Sequence, residues 1–164
     1  MKICFLIVDM QKCHLHGNLN PQKIEHACAY INYTSDLLRS KNHLIVHIRD
    51  LEDMNPENAA EYDIIPDIKQ VETDQHVDKL YSNAFWETNL KDIIDKAKVD
   101  LVIVCGFAAE NCVLFTWNGA IERGFSAVIL QHGILSKHEQ VISATYRDRD
   151  LISITALEAM VSSA

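Results

Sequence analysis

The sequence of 164 residues lacks most of the features that mark membrane, secreted or nucleic-acid-binding proteins. It has no apolar run of membrane-spanning length and no basic stripe, and its 15 Lys and Arg are outnumbered by 23 Asp and Glu. We therefore expect neither a membrane nor a nucleic acid as a partner. Neither the G-x-G-x-x-G fingerprint nor the Walker loop occurs, so no motif supports nucleotide binding and we expect no cofactor.

Cysteine is present but lacks any regular spacing. There are five cysteines, an odd number, and none forms a C-x-x-C pair. This pattern argues against a disulfide framework and against a zinc knuckle. Met1 to Val8 resembles the core of a signal peptide, but Asp9 interrupts it and no small-residue cleavage site follows. We interpret this segment as a buried strand and expect a reducing, cytoplasmic location.

The net charge of −8 is concentrated in one acidic segment, residues 50–75. This segment holds nine acidic residues and one basic residue, Lys69, whereas the charges in the rest of the chain balance. It has two prolines and little periodicity apart from a turn at 59–62, which is typical of a functional cover or of a mobile stretch. A solvated surface is the simpler interpretation, and a lid or partner surface is the alternative.

Apolar runs and helical periodicities alternate along the chain. Strands are predicted at 3–8, 44–48, 76–80, 101–105, 126–130 and 151–154. Helices are predicted from Asn20-Pro21 to about Lys41, from Thr88, from Glu110 to Arg123 with Gly124 as the stop, and from two capping boxes at 136–139 and 155–158. Lys12 to Asn20 is interpreted as a polar loop. The alternation predicts one α/β domain over residues 1–164, with a mainly parallel, helix-covered sheet.

One stretch joins a buried strand to a helix through a turn that contains a cysteine. Leu101 to Cys105 is apolar, Gly106 interrupts the run, and helical spacing begins at about Glu110. Cys112 is therefore expected in the first turn of a helix, where free N–H groups and the helix dipole favour a thiolate and can bind an oxyanion. From this stretch alone, a buried core cysteine is the simpler alternative.

Two charged residues stand at predicted strand ends. Asp9 follows the first strand, and Lys79 lies near the end of the short strand at 76–80. The carboxyl ends of parallel strands share one edge of the sheet, where α/β proteins place their sites. Taken separately, Asp9 is also compatible with a solvated carboxylate and Lys79 with an exposed lysine.

Three motifs occur in a characteristic order. They are Leu6-Ile7-Val8-Asp9-Met10-Gln11, the segment from Lys79 to Leu90, and Cys105-Gly106-Phe107-Ala108-Ala109-Glu110-Asn111-Cys112-Val113. In this order and at these offsets, the chain from Ile3 to about Ser136 resembles the isochorismatase-like cysteine hydrolases, which include nicotinamidases and N-carbamoylsarcosine amidases. The resemblance implies a six-stranded parallel sheet in a three-layer, Rossmann-type sandwich, and it implies a homo-oligomer.

The resemblance also implies a catalytic triad of Asp9, Lys79 and Cys112. It further implies a non-proline cis peptide at Phe107–Ala108, with the N–H groups of Ala108 and Cys112 directed at one oxyanion. An ordinary thiol, with a pKa of about 8.5, is mostly protonated at neutral pH, so Asp9 is expected to be the base and Lys79 to stabilise the thiolate. Candidate substrate contacts are Gln11, Phe85, Trp86 and Ala109.

The chain departs from the family pattern near the expected site. Ala109 replaces a common threonine, and His132-Gly133 stands where an Asp-Ala pair is common. Arg49 is the only arginine near the expected mouth, which disfavours the dianion isochorismate as a substrate. His14 and His16 are interpreted as surface residues.

The metal motif of nicotinamidases is also missing. Asp50-Leu51-Glu52 replaces the Asp-x-His of those enzymes, which disfavours a nicotinamidase. We expect no metal; a set made of Asp50, Asp53 and His76 is the alternative.

The sequence thus predicts a cysteine-dependent hydrolase of a small amide, ureide or related C–N substrate, acting through a thioester. The alternative is a relative with an altered site that serves as a binding or assembly protein, with the acidic segment as its partner surface. A redox role that pairs Cys112 with Cys13 or Cys105 is a third interpretation.

Overall fold

The fold is built around a strand, β1 (Ile3–Val8), that is buried on both faces of a sheet. The computed structural model describes residues 1–162 of the protein. Successive side chains of a strand point to opposite faces, so Phe5 packs in one hydrophobic cluster and Leu6 in the other. This explains why β1 is an uninterrupted apolar run rather than an alternating one.

Five further strands complete the sheet. They are β2 (Leu44–Asp50), β3 (Gln75–Lys79), β4 (Leu101–Phe107), β5 (Ser126–Leu135) and β6 (Leu151–Ile152). All pairs are parallel, in the order β3-β2-β1-β4-β5-β6. The strand order reverses between β1 and β4, and α/β folds open a crevice at the carboxyl ends of the strands at such a point. The predicted parallel, six-stranded sheet is confirmed.

Helices cover both faces of the sheet. They are α1 (Lys12–Leu15), α2 (Pro21–Ser40), α3 (Leu90–Lys96), α4 (Cys112–Glu122), α5 (Glu139–Asp148) and α6 (Ile154–Ser162). Helices α2 and α6 contribute to the cluster that contains Phe5, whereas α3 and α4 contribute to the cluster that contains Leu6. Within residues 1–162, no helix combines the length and the apolar character needed to cross a membrane.

Some predicted helix ends are confirmed and others were wrong. Asn20 caps α2, because its side chain accepts a hydrogen bond from the N–H of Gln22 at 2.9 Å. Neither predicted capping box forms. A capping box requires Glu139 to be the third residue of α5, but it is the first. At the start of α6, Ser153 rather than Thr155 accepts a backbone hydrogen bond, from the N–H of Ala156.

The strands are longer than predicted around the cysteine turn. Gly106 was expected to end its strand, yet β4 continues to Phe107, because Gly106 has a φ of +108° and pairs with Val8. Likewise β5 extends to Leu135 beyond the predicted end at residue 130, passing through His132 at a φ of +64°. The polar loop predicted for Lys12 to Asn20 instead begins with the short helix α1.

The acidic segment is exposed along most of its length but is attached to the domain. It contains a 3-10 helix (Ala59–Tyr62), and Ile65 and Ile68 are buried in the same cluster as Phe5. Near its end, Asp74 is buried and accepts two hydrogen bonds from the guanidinium of Arg39 on α2, at 3.0 and 2.6 Å. The segment is therefore fixed against α2 rather than loose.

Replacing Gly106 with alanine is expected to destabilise the protein strongly. A Cβ at this position would lie 2.0 Å from the carbonyl oxygen of Val8, and the backbones of these two residues are held together as paired strands. We expect the free energy of unfolding, measured by urea denaturation, to fall by about 3 kcal/mol or more. Gly124→Ala is the matched control, because Gly124 also has a positive φ, +85°, but has open space around it. Its expected cost is about 1 kcal/mol, and equal losses in both variants would show that the clash with Val8 is not the cause.

Candidate active site

The side chain of Lys79 reaches from the edge of the sheet to its centre. Lys79 ends β3, two strands away from β1, and pairs with Asp50 at the end of β2. Neighbouring strands lie about 4.8 Å apart, so only a long side chain can cross β2. The buried Nζ of Lys79 lies 2.9 Å from Oδ2 of Asp50 and 2.9 Å from Oδ2 of Asp9, the residue that follows β1.

The thiol of Cys112 completes this cluster. Cys112 is the first residue of α4, as predicted, and the turn before it starts directly after β4. Its Sγ lies 3.3 Å from Nζ of Lys79 and 4.0 Å from Oδ2 of Asp50. The fold therefore brings the three predicted catalytic residues, Asp9, Lys79 and Cys112, to one point at the carboxyl ends of the strands.

The carboxylate of Asp9 is buried but not saturated with hydrogen bonds. Its backbone adopts a φ of +50°, a conformation that Asp tolerates better than most residues, and its N–H donates to the carbonyl of Ile48. The contact with Lys79 is an ion pair whose angles are not those of a hydrogen bond, and no other donor in residues 1–162 makes an aligned bond to either oxygen. Both Asp9 oxygens can therefore accept a proton.

The pKa values assign the resting protonation of the cluster. Burial raises the pKa of Asp9 to about 6, although Lys79 favours the carboxylate. Burial, reinforced by the charge of Asp9, raises the pKa of Cys112 to about 12. Burial opposes the charge of Lys79 most strongly, but Asp9 and the other groups around the ammonium together outweigh burial, and the pKa of Lys79 rises above its usual value. At neutral pH the cluster is a carboxylate, an ammonium and a neutral thiol.

The neutral thiol agrees with the expectation that Asp9 must take the proton of Cys112, although the helix start was expected to favour a thiolate. The start of a helix and a neighbouring cation both lower a thiol pKa. In this protein, burial and the carboxylate of Asp9 act in the opposite direction and prevail. The proton therefore stays on sulfur until a reaction draws it to Asp9.

Two backbone N–H groups are free beside the thiol. The peptide bond Phe107–Ala108 is cis, as the family resemblance implied. No acceptor within residues 1–162 bonds the N–H of Ala108 or of Cys112, while the carbonyl of Ala108 accepts from Val113 and closes the turn. These N–H groups are available to an oxyanion formed next to Cys112.

Gln11 was predicted to contact substrate, and the structure gives it another role. Its side chain is fully buried, and its Nε2 donates to the carbonyl oxygens of Asp50 at 3.0 Å and Tyr62 at 2.8 Å. Its Oε1 accepts the N–H of Asp50 at 2.8 Å. The amide is thus occupied by the backbone on both sides, and it holds Asp50 beside Lys79.

The other predicted substrate contacts are spread over different environments. Phe85 is buried, stacks on Phe125 and lies beneath the guanidinium of Arg123, which makes it a core residue rather than a pocket wall. Trp86 is 54% exposed. Ala109 is buried, and its N–H donates to the carbonyl of Leu135, which ties the cysteine turn to β5.

Sequence reasoning missed the part of Asp50 and His14 in this cluster. Asp50 was assigned to the acidic segment, although its place at the carboxyl end of a predicted strand was the same signal that identified Asp9. The surface position predicted for His14 was wrong, because α1 turns the half-buried ring onto Phe107, with 5.9 Å between the ring centroids. His16 is exposed, as predicted.

The ligand atoms of Asp9, His14 and Asp50 lie within 4.8 Å of one another. These residue types suit a metal ion, but the ammonium of Lys79 is already 2.9 Å from both carboxylates and would repel a second cation. The residues therefore do not fit a resident metal. The alternative metal set of Asp50, Asp53 and His76 is not supported either. The side chain of Asp53 is exposed, and the ring of His76 stacks on His47.

The family model described as the isochorismatase domain matches residues 4–156. The chain belongs to the isochorismatase family. An uncharacterized isochorismatase family protein, YaaI of Bacillus subtilis, is 35% identical over 83 residues, which are 51% of this chain and 46% of that protein. The match thus spans about half the length of that relative. The secreted isochorismatase effector Isc1 of Verticillium dahliae is 24% identical over 79% of this chain and 70% of that protein.

Solved structures of the isochorismatase family share the fold. An isochorismatase-like hydrolase from Alkaliphilus metalliredigens superposes with a TM-score of 0.86 at 19% identity, covering 98% of this chain and 99% of that one. An N-carbamoylsarcosine amidase from Thermoplasma acidophilum gives 0.78 at 20% identity, over 93% and 95% of the two chains. The nicotinamidase of Staphylococcus aureus gives 0.75 at 16% identity, over 90% and 95%. The predicted resemblance and fold are confirmed.

Removing the amide of Gln11 is expected to destabilise the site. Gln11→Leu leaves the N–H and C=O of Asp50 and the C=O of Tyr62 without this partner. Unmade buried hydrogen bonds cost about 1–3 kcal/mol each, so we expect urea denaturation to show a loss of about 2–4 kcal/mol. The control is Gln70→Leu, an exposed glutamine of the acidic segment, with an expected change below about 0.5 kcal/mol. Similar stabilities for the two variants would contradict the bracing role of Gln11.

Proposed function

We propose that the protein is a hydrolase in which Cys112 cleaves a small amide, ureide or related C–N substrate through a thioester. One observation carries this proposal: the buried Nζ of Lys79 lies 2.9 Å from Asp9 and 3.3 Å from the sulfur of Cys112. A base, a cation and a nucleophile from distant parts of the chain thus meet at one point. Membership of a family whose solved structures include two amidases supports the same chemistry.

In the first step Cys112 adds to the carbonyl carbon of the substrate. The S–H proton passes to the carboxylate of Asp9 as the C–S bond forms, because a free thiolate is disfavoured at a pKa of about 12. The electron pair of the C=O bond moves onto oxygen, and the N–H groups of Ala108 and Cys112 bind this oxyanion. Lys79 remains protonated and balances the negative charge that develops beside it.

In the second step the tetrahedral intermediate collapses and the C–N bond breaks. The leaving nitrogen takes the proton from Asp9, so an amine or ammonia departs and a thioester stays on Cys112. A water molecule then gives a proton to Asp9 while its oxygen attacks the thioester carbon. The C–S bond breaks, sulfur regains the proton from Asp9, and the acid product leaves. The sum is an amide plus water giving an acid plus an amine.

Asp50 adjusts the base in this scheme. An aspartate paired with a lone lysine has a pKa below its ordinary value. In this site burial is the main cause that raises the pKa of Asp9, and the charge of Asp50, which shares Lys79, adds to it. Asp9 is therefore basic enough to accept a proton near neutral pH.

Substitution of the nucleophile is the direct test of the proposal. We expect Cys112→Ala to lower hydrolysis at least about 1,000-fold in an ammonia-release screen across small amides and ureides. Cys13→Ala is the control, since this half-buried thiol lies in the neighbouring helix α1 and has no part in the scheme. Hydrolysis that survives in Cys112→Ala would refute the proposal, whereas loss in Cys13→Ala would favour the redox interpretation.

The pH profile tests the role of Asp9. Its carboxyl must be ionised to accept the thiol proton. We therefore expect kcat/KM to be low at a pH below the Asp9 pKa of about 6 and to increase as the pH rises through that value. Because the charge of Asp50 raises the pKa of Asp9, Asp50→Asn is expected to move this rise to lower pH. A rise that stays in place in Asp50→Asn would assign it to a different group.

A further inference from the structure

His14 faces the reactive cluster but has no part in the proposed proton transfers. Its imidazole stacks on Phe107, immediately before the turn that supplies the free N–H groups, with 24° between the ring planes. A ring nitrogen lies within 4.8 Å of carboxylate oxygens of both Asp9 and Asp50. The ring therefore lies directly beside both carboxylates of the cluster.

The polar edge of this ring lacks a partner in the protein. Nε2 of His14 is buried, and no group within residues 1–162 makes a hydrogen bond to it. Such a nitrogen costs about 1–3 kcal/mol when it stays unpaired, and unpaired buried groups in native proteins commonly serve a function. Burial also lowers the pKa of His14, so the ring is neutral at neutral pH and offers one donor and one acceptor.

The charges around His14 restrict what it can bind. Within the cluster, Asp9 and Asp50 each carry a negative charge and Lys79 carries one positive charge, so the cluster sums to −1. The exposed Lys137, whose ammonium bonds Asn18, also acts on His14 with a positive charge. The ammonium of Lys79 is already paired, 2.9 Å from each carboxylate, so an anion placed beside the cluster is repelled by two carboxylates. An uncharged polar group avoids this repulsion and can still satisfy the imidazole.

We propose that His14 binds the substrate and selects an uncharged amide with a hydrogen-bonding group next to the scissile carbonyl. This inference rests on the proposed function, because the scissile carbonyl is defined by Cys112. A hydroxyl, amide or ring nitrogen on the acyl side would pair with the free nitrogen of His14. An apolar acyl group would leave that nitrogen unpaired, and a carboxylate would meet the net negative charge.

Three probes that differ at one position test the selection. Glycolamide carries a hydroxyl where propionamide carries a methyl group and where malonamate carries a carboxylate. For the wild-type protein, kcat/KM is expected to be about tenfold higher for glycolamide than for propionamide, and lowest for malonamate. In His14→Phe, which keeps a ring to stack on Phe107, the ratio of glycolamide to propionamide is expected to fall to about one.

Matched variants separate this effect from a general loss of structure. His16→Phe changes an exposed histidine two residues away and is expected to keep the wild-type ratio. His14→Gln keeps a polar group and is expected to retain part of the preference for glycolamide. An unchanged ratio in His14→Phe, with turnover that still depends on Cys112, overturns the inference and leaves the proposed function standing. Turnover that survives in Cys112→Ala overturns the proposed function itself and the inference with it.

If none of the probes is hydrolysed, their binding to His14, measured by NMR, tests the inference. The ring nitrogens of His14 are observed by proton–nitrogen NMR and assigned by their absence in His14→Phe. Glycolamide is expected to shift the His14 nitrogens, and propionamide at the same concentration is expected to shift them less. Equal shifts with both compounds, or none with either, overturn the inference.

Discussion

The ammonium of Lys79, buried between two carboxylates and a thiol, is the interaction on which the arrangement of this protein depends. An ion taken out of water costs several kcal/mol, and only close opposite charges offset that cost. Asp9 and Asp50, each 2.9 Å from Nζ, provide them. Their positions require three neighbouring strands in correct register, and the amide of Gln11 holds the backbone of Asp50 at its end of the sheet. The site therefore assembles only when the centre and one edge of the sheet are both formed.

The same charges determine how the thiol can react. Lys79 lies 3.3 Å from sulfur, yet burial and Asp9 keep the proton on Cys112. In the proposed reaction the thiol therefore loses its proton during attack rather than beforehand. A neutral thiol is also less exposed to unwanted oxidation than a thiolate. The amidases with this fold share no more than 20% of their residues with the chain. The side chains around the cluster can therefore differ among proteins of this fold, and in this chain His14 lies beside it.

Much of the fold and the core of the site were predictable from local patterns. The strand before Asp9, the cap at Asn20 and the helix that begins at Cys112 follow from periodicity and residue type, and the structure has all three. The placement of a side chain was harder to predict where its residue type has two plausible uses. Gln11 and Phe85 are polar and aromatic residues near the motifs, and either type fits a substrate contact or the interior; packing assigned both to the interior. Ser136 and Thr155 met the pattern of a capping box, but α5 and α6 begin at other residues.

The sequence by itself determined the α/β alternation and the three residues of the proposed triad, because strand and helix periods and strand-end positions are properties of short segments. Only the tertiary structure decided which carboxylates share Lys79, that His14 turns inward, and that Cys112 rests as a thiol. These outcomes depend on burial and on distances between charges carried by β1, β2, β3 and α4. Those elements are far apart along the chain, so their electrostatic coupling exists only after the sheet has brought them together.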